Sequence, residues 1–210
     1  MYHRHMDGPS PDVAAFILGG GKSTRMGTDK AFVLLDGRTL LQRALDLARL
    51  LTSDVRIVGD RGKFAQFAPV VEDVFRDCGP LGGIHAALKA SSAELNLILA
   101  VDVPFLSTAL LEYLIMCARN SANATVAVAQ AAGRLQPLCA VYRPQFADAA
   151  ENSLRSGHYK IDALFAAPHT RIVAEKELES AGFSSSMFRN LNTPGELEAV
   201  RNESGGGRNN

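Results

Sequence analysis

The chain has little of what marks several protein classes. Cysteine is scarce. Cys78, Cys117 and Cys139 lie far apart, no CxxC occurs, and the odd count argues against a disulfide framework. Reduced thiols and a cytoplasmic setting are the expectation. Net charge is absent, with 22 Lys and Arg against 22 Asp and Glu, so no basic field argues for general nucleic-acid binding. No apolar run approaches the ~20 residues of a membrane span. The first residues, Met1 to Asp12, lack the apolar core of a secretory signal. His85, His158 and His169 show no metal-ligand spacing and read as surface or helix residues, while His3 and His5 are expected in a frayed tail.

What remains is an ordinary globule, 47% hydrophobic and 21% charged over 210 residues. That length suits one domain, expected over residues 12–202, with flexible tails at 1–11 and 203–210.

The segment Ala14 to Ala31 (AAFILGGGKSTRMGTDKA) carries the strongest functional signal. An apolar run, Val13 to Leu18, stops at Gly19, Gly20 and Gly21, and a loop follows with Lys22, Arg25 and Lys30 against Asp29. Glycines let backbone N–H groups approach phosphate oxygens, and the cations neutralise their charge. Two phosphate motifs are nevertheless missing. The P-loop fails because Phe16 stands where its first Gly belongs. The dinucleotide fingerprint fails because Thr24 replaces its last Gly. The reading is a nucleotide site of another kind.

Apolar runs alternate with helical patterns. Strands are expected at Val13–Leu18, Val55–Val58, Val70-Val71 and Leu95–Val101. Helices are expected at Thr39 to Leu51 with Thr39 as cap, at Pro80 to Ala90, and at Ser107 to Ala118 with Ser107 as cap. Lys63 to Phe67 reads as a short helix at best. Further on, Ala124–Gln130 and Leu138–Tyr142 read as strands joined by the turn-like Ala131-Ala132-Gly133-Arg134. Pro144 to Ser156 and Tyr159 to Ala166 read as helices, Arg171–Ala174 and Met187–Leu191 as strands, and Gly195 to Asn202 as a last helix. Such alternation implies a three-layer α/β/α, Rossmann-like, mostly parallel sheet. Ligands bind beyond the carboxyl ends of such strands. Gly19, Gly59-Asp60, Asp73 and Asp102 all follow strand candidates and are expected along one edge.

Asp102 sits in Val101-Asp102-Val103-Pro104-Phe105, where Pro104 enforces an extended turn. A carboxylate there is desolvated unless paired with a cation. Facing a triphosphate it suits Mg2+, which takes one or two carboxylates and fills its shell with phosphate oxygens and water. Asp73 precedes Gly79-Pro80-Leu81-Gly82-Gly83, glycines that permit close approach of backbone to a base or sugar. The separation of the two acids is open at this level. Lys160, in Gly157-His158-Tyr159-Lys160, either meets an anionic acceptor or follows a helix start.

These residues resemble a known family. Leu18-Gly19-Gly20-Gly21, then Arg25-Met26-Gly27, then Asp29-Lys30, is similar to the signature L-A-G-G-x-x-x-R-M-G-x-D-K of the MobA-like nucleotidyltransferases, the molybdenum cofactor guanylyltransferases. Gly79-Pro80-Leu81-Gly82-Gly83 is similar to the family's G-P-L-A-G, and Asp102-x-Pro104-Phe105 to its D-x-P segment. Gln136-Pro137-Leu138 resembles its second-half strand, and Asn190-Leu191-Asn192-Thr193-Pro194 its N-x-N-T-P. The likeness covers about residues 12 to 201.

The resemblance implies a nucleotide-diphospho-sugar transferase fold. It implies an enzyme that moves GMP from GTP to the terminal phosphate of molybdopterin and releases pyrophosphate. Leu18, Gly19, Gly20 and Gly21 would line GTP and Lys30 contact its phosphates. Arg25 would stabilise their charge, Asp73 hold the guanosine and Asp102 bind Mg2+. Asn190 and Asn192 would lie near the acceptor or metal. Transient contact with molybdoenzyme maturation proteins is implied as well. Val58 stands where members can carry Asn, and Gly19 replaces the usual Ala, a change expected to be tolerated. Alternatives are a transferase using CTP or a sugar- or cobamide-phosphate acceptor, and a non-catalytic nucleotide-binding module.

Overall fold

The computed structural model describes residues 10–19, 29–166, 168–191 and 195–199. In chain order its elements are β1 (Val13–Leu18), β2 (Leu34–Leu35), β3 (Arg38–Thr39), α1 (Leu40–Arg49), β4 (Asp54–Val58), α2 (Arg61–Phe64), β5 (Val70–Val71), α3 (Pro80–Ala90), β6 (Leu95–Ala100) and α4 (Thr108–Arg119). They continue with β7 (Val126–Ala131), β8 (Arg134–Tyr142), α5 (Phe146–Arg155), β9 (Thr170–Val173) and α6 (Glu175–Ser180), with residues 195–199 also helical.

Seven strands form one sheet in the order β5-β4-β1-β6-β8-β7-β9. β8 alone runs against its neighbours β6 and β7; the other pairings are parallel. β1 lies centrally, and all six of its residues are buried. Its side chains alternate between two cores, as a strand period of two requires. Val13, Ala15 and Ile17 meet the core formed with α1, α4 and α6, whereas Ala14, Phe16 and Leu18 meet the core formed with α3 and α5. This is the expected three-layer α/β/α arrangement.

Local chemistry sets the helix starts. Thr39 and Gln42 form a reciprocal capping box on α1, and the Ser107 hydroxyl accepts from Leu110 N on α4. Pro80 opens α3 after Gly79, whose φ of 68° suits glycine.

Three expectations need correction. Met187–Leu191 is not a strand; Ser185–Phe188 forms a 3-10 turn capped by Ser184, and Leu191 N donates to Asp102 O at 2.8 Å instead of joining a ladder. Tyr159 to Ala166 contains only a 3-10 turn, Ile161–Leu164, after Gly157 at φ 75°. The short helix expected at Lys63 to Phe67 starts earlier, at Arg61, because the Asp60 carboxylate caps it through Lys63 N.

Candidate functional site at the carboxyl edge of the sheet

β1 ends with Leu18 paired to both Val58 and Ala100. Gly19 extends the ladder by one bond, its N–H donating to Val58 O at 3.0 Å. A Cβ at position 19 would stand 2.9 Å from the Phe64 ring and 3.3 Å from Ile57. Phe64 is 1% exposed and stacks on Phe32, so it has little room to yield. This chain's Gly19 is therefore fitted to its Phe64. Gly20, Gly21 and Arg25 lie outside the described residues.

The chain is described again from Asp29. The Asp29 carboxylate accepts from Ala31 N at 3.1 Å and pairs with Lys63, fixing the 3-10 turn Lys30–Phe32. That turn presents Lys30, whose Nζ lies 3.1 Å from Asp102 Oδ2. The two side chains are 23% and 21% exposed. A partly exposed ion pair contributes on the order of 1 kcal/mol or less to folding, so its placement matters more than its strength. Asp102 follows β6, and its loop is held from a third direction by the Leu191 bond. The Arg189 guanidinium lies 5.0 Å from the centre of the Phe105 ring, in the range of a cation–π contact. Asn190 is exposed beside this junction; Asn192 lies outside the described residues.

Asp73 follows β5 on the other side of β1. Its Oδ1 is buried without a hydrogen-bond partner, and burial raises its carboxyl pKa above the ordinary value. Beneath it, Gly83 lets α3 pack closely against the strand ends. A Cβ there would lie 3.3 Å from Leu18, 3.5 Å from Val58 and 3.7 Å from Asp73 Oδ1. Gly82 lets the loop after Asp73 rest on α3, since a Cβ would stand 2.7 Å from the Phe75 carbonyl oxygen. An orphaned acceptor at the end of β5 suits a ligand carrying N–H donors. Val58 is buried in the core and offers no polar group there.

Strand order settles the separation left open by sequence. Asp73 and Asp102 follow β5 and β6, three strand spacings apart, or roughly 14 Å at ~4.8 Å per strand. An extended nucleotide bridges that distance and one cation does not. Among the described residues no group of three or more His, Cys, Asp or Glu is placed to hold a metal. A single carboxylate suits Mg2+ completed by phosphates and water, and does not suit zinc or an all-protein calcium cage. His85 is a helix residue as expected, but a buried one, 3.5 Å from Glu151. Signals missed in the sequence include Lys63 as partner of Asp29, the Glu175 carboxylate on the β7–β8 turn, and Leu191 as anchor of the Asp102 loop.

A model of the MobA-like NTP transferase domain matches residues 15–173. The molybdenum cofactor guanylyltransferase of Desulfosudis oleivorans is 34% identical, over 89% of this chain and 93% of that protein. That of Syntrophotalea carbinolica is 31% identical, over 92% of each. The crystal structure of molybdopterin-guanine dinucleotide biosynthesis protein A from Archaeoglobus fulgidus superposes with a TM-score of 0.79 at 24% identity. It covers 92% of this chain and 99% of that one, a likeness of fold.

Proposed function

The chain belongs to the MobA-like NTP transferase domain family, and on that footing we propose that it transfers GMP from GTP to the terminal phosphate of molybdopterin, releasing pyrophosphate. The observation that carries this reading is the Lys30–Asp102 pair. It joins the end of the glycine loop to the end of β6 at the edge where such sheets bind ligands.

A phosphate nucleophile is already anionic near neutral pH, so no dedicated base is required. The barrier is electrostatic, because two anions must meet and charge grows on departing pyrophosphate. Lys30 supplies one fixed positive charge, and Arg25, by the family likeness, another. Backbone N–H groups of the glycine segment orient the phosphates. Asp73 accepts from the base or ribose. Asp102 would hold Mg2+, which when bound would neutralise phosphate charge. On nucleotide entry Lys30 would exchange its carboxylate partner for phosphate oxygens, leaving Asp102 to the ion. Cys78, Cys117 and Cys139 are free thiols, which suits a reducing cytoplasm.

The test is pyrophosphate release with molybdopterin as acceptor and GTP, CTP or ATP as donor. GTP is expected to be preferred. Asp102→Ala and Lys30→Ala are each expected to cut turnover by about 10²–10³, the usual effect of losing one such electrostatic group. Preference for CTP would move the protein to a cytidylyltransferase, and absence of pyrophosphate with every donor would leave a binding module.

A further inference from the structure

The site so described covers β5, β4, β1 and β6. The β7–β8 hairpin, on the other half of the same edge, has no role yet. Val128, Ala140 and Ile98 stand side by side in β7, β8 and β6. Ala131 lies three residues beyond Val128, and Ala100 two beyond Ile98. The hairpin tip therefore stands about one residue, ~3.4 Å, higher than the end of β6, and two strand spacings, ~10 Å, to its side. Between them β8 is bulged. Pairing with β7 jumps from Val128–Ala140 to Gln130–Leu135, and pairing with β6 stops at Leu99–Cys139. Gln136-Pro137-Leu138 thus forms no ladder rung beside the Asp102 loop. Bulges of this kind re-aim side chains next to active sites.

The tip is braced. Ala132 and Gly133 have φ of 49° and 70°, and their N–H groups donate to the two Glu175 oxygens at 2.9 and 3.3 Å. Inside the hairpin, Gln136 Nε2 donates to Ala131 O at 3.3 Å, and Tyr142 donates to Pro137 O at 2.8 Å. A non-glycine residue in the left-handed region is uncommon, and here a carboxylate from another element holds it. Arg134 follows this turn. It is exposed, and among the described residues it makes no ion pair.

We propose that the β7–β8 hairpin is the acceptor-binding element, with Arg134 contacting the acceptor's phosphate monoester and Glu175 acting as a positioning residue. The proposal rests on the transferase reading. An in-line attack on the α-phosphate brings the nucleophile from the side opposite the leaving pyrophosphate. With GTP spread over β5 to β6, the vacant approach is across β8. Arg is suited to it, because its planar fork grips a phosphate through two parallel hydrogen bonds.

The experiment measures kcat and separate KM values for GTP and molybdopterin, together with calorimetric binding of molybdopterin alone. Arg134→Ala is expected to raise the molybdopterin KM and Kd by about 10–100-fold, the span of one lost charge-assisted hydrogen-bond set, with the GTP KM within about twofold. Glu175→Ala should produce a smaller rise in the same constant, and Glu175→Gln, which keeps one acceptor oxygen, should recover much of it. Unchanged molybdopterin KM and Kd in Arg134→Ala overturns the proposal. So does an equal rise in the GTP KM, which would mark a general disturbance of the fold. Failure of the wild-type protein to release pyrophosphate would count against the transferase reading alone. Molybdopterin binding lost in Arg134→Ala would still support the hairpin assignment, and no binding by the wild type would refute it.

Discussion

Asp73 holds a destabilising position for a reason that serves binding. Its Oδ1 is buried with no partner, and burial lifts its pKa above 3.8. A carboxyl whose folded pKa is raised favours the fold at low pH, where both states are protonated. That advantage is lost as pH rises from about 3.8 through the folded value. Asp73→Asn is therefore expected to raise the melting temperature at pH 7, with the gain shrinking as pH falls toward 3.8, while weakening GTP binding. Thermal melts across pH with a parallel GTP titration check both halves. A variant no more stable than the wild type at pH 7 would show that the orphaned oxygen is not under strain. Lys30, Asp73 and Asp102 were legible in the sequence because each follows a glycine-rich or apolar run that ends a strand. The fit of Gly19 to Phe64 was not legible, since it depends on a ring delivered by a different element.

Among the elements, α3 best joins fold to site. Its first turns carry two glycines where Ala would favour the helix by ~1 kcal/mol per residue. Gly82 is occupied from above by the Phe75 carbonyl, so glycine there sets the height of the loop that starts at Asp73. Gly82→Ala is expected to keep helix content by circular dichroism. It should raise the GTP KM, because backbone cannot be crowded at 2.7 Å and the loop must lift. An unchanged GTP KM would refute this account of the loop. α3 was readable because Pro80 marks its start and apolar residues fill it. α6 was not. Within Glu175–Ser180 only Leu178 is a buried apolar residue, too little for a helical period. The helix is held by polar contacts: Glu177 meets Arg171 and the Tyr113 hydroxyl. The apolar residues at Met187–Leu191 suggested a strand, but the described ladder ends at β5 and β9, and this segment instead secures the Asp102 loop.

At the scale of the whole molecule, the one reversed strand divides the sheet's working edge. Six strands of the sheet run in one direction, as the alternation of apolar runs and helices leads one to expect. The reversal of β8 follows from the two-residue turn Ala132-Gly133, since so short a link joins only antiparallel neighbours. The nucleotide half gathers residues from 19 to 102 that are remote in sequence, so binding there should stabilise the fold across β5 to β6 and not one loop. At about 100 times Kd a ligand adds ~2.7 kcal/mol, and a domain of this size gains roughly 2–4 °C per kcal/mol. GTP with Mg2+ is expected to raise the melting temperature by about 5–10 °C. Removal of Mg2+ with a chelator, or Asp102→Ala, should erase most of that gain by the same route, because the cation that would neutralise triphosphate charge is no longer held. Lys30→Ala should erase it by loss of a phosphate contact. The chelator and Asp102→Ala should not add to one another, since both remove the same cation. Additive losses between chelator and Asp102→Ala would place the cation elsewhere than on Asp102.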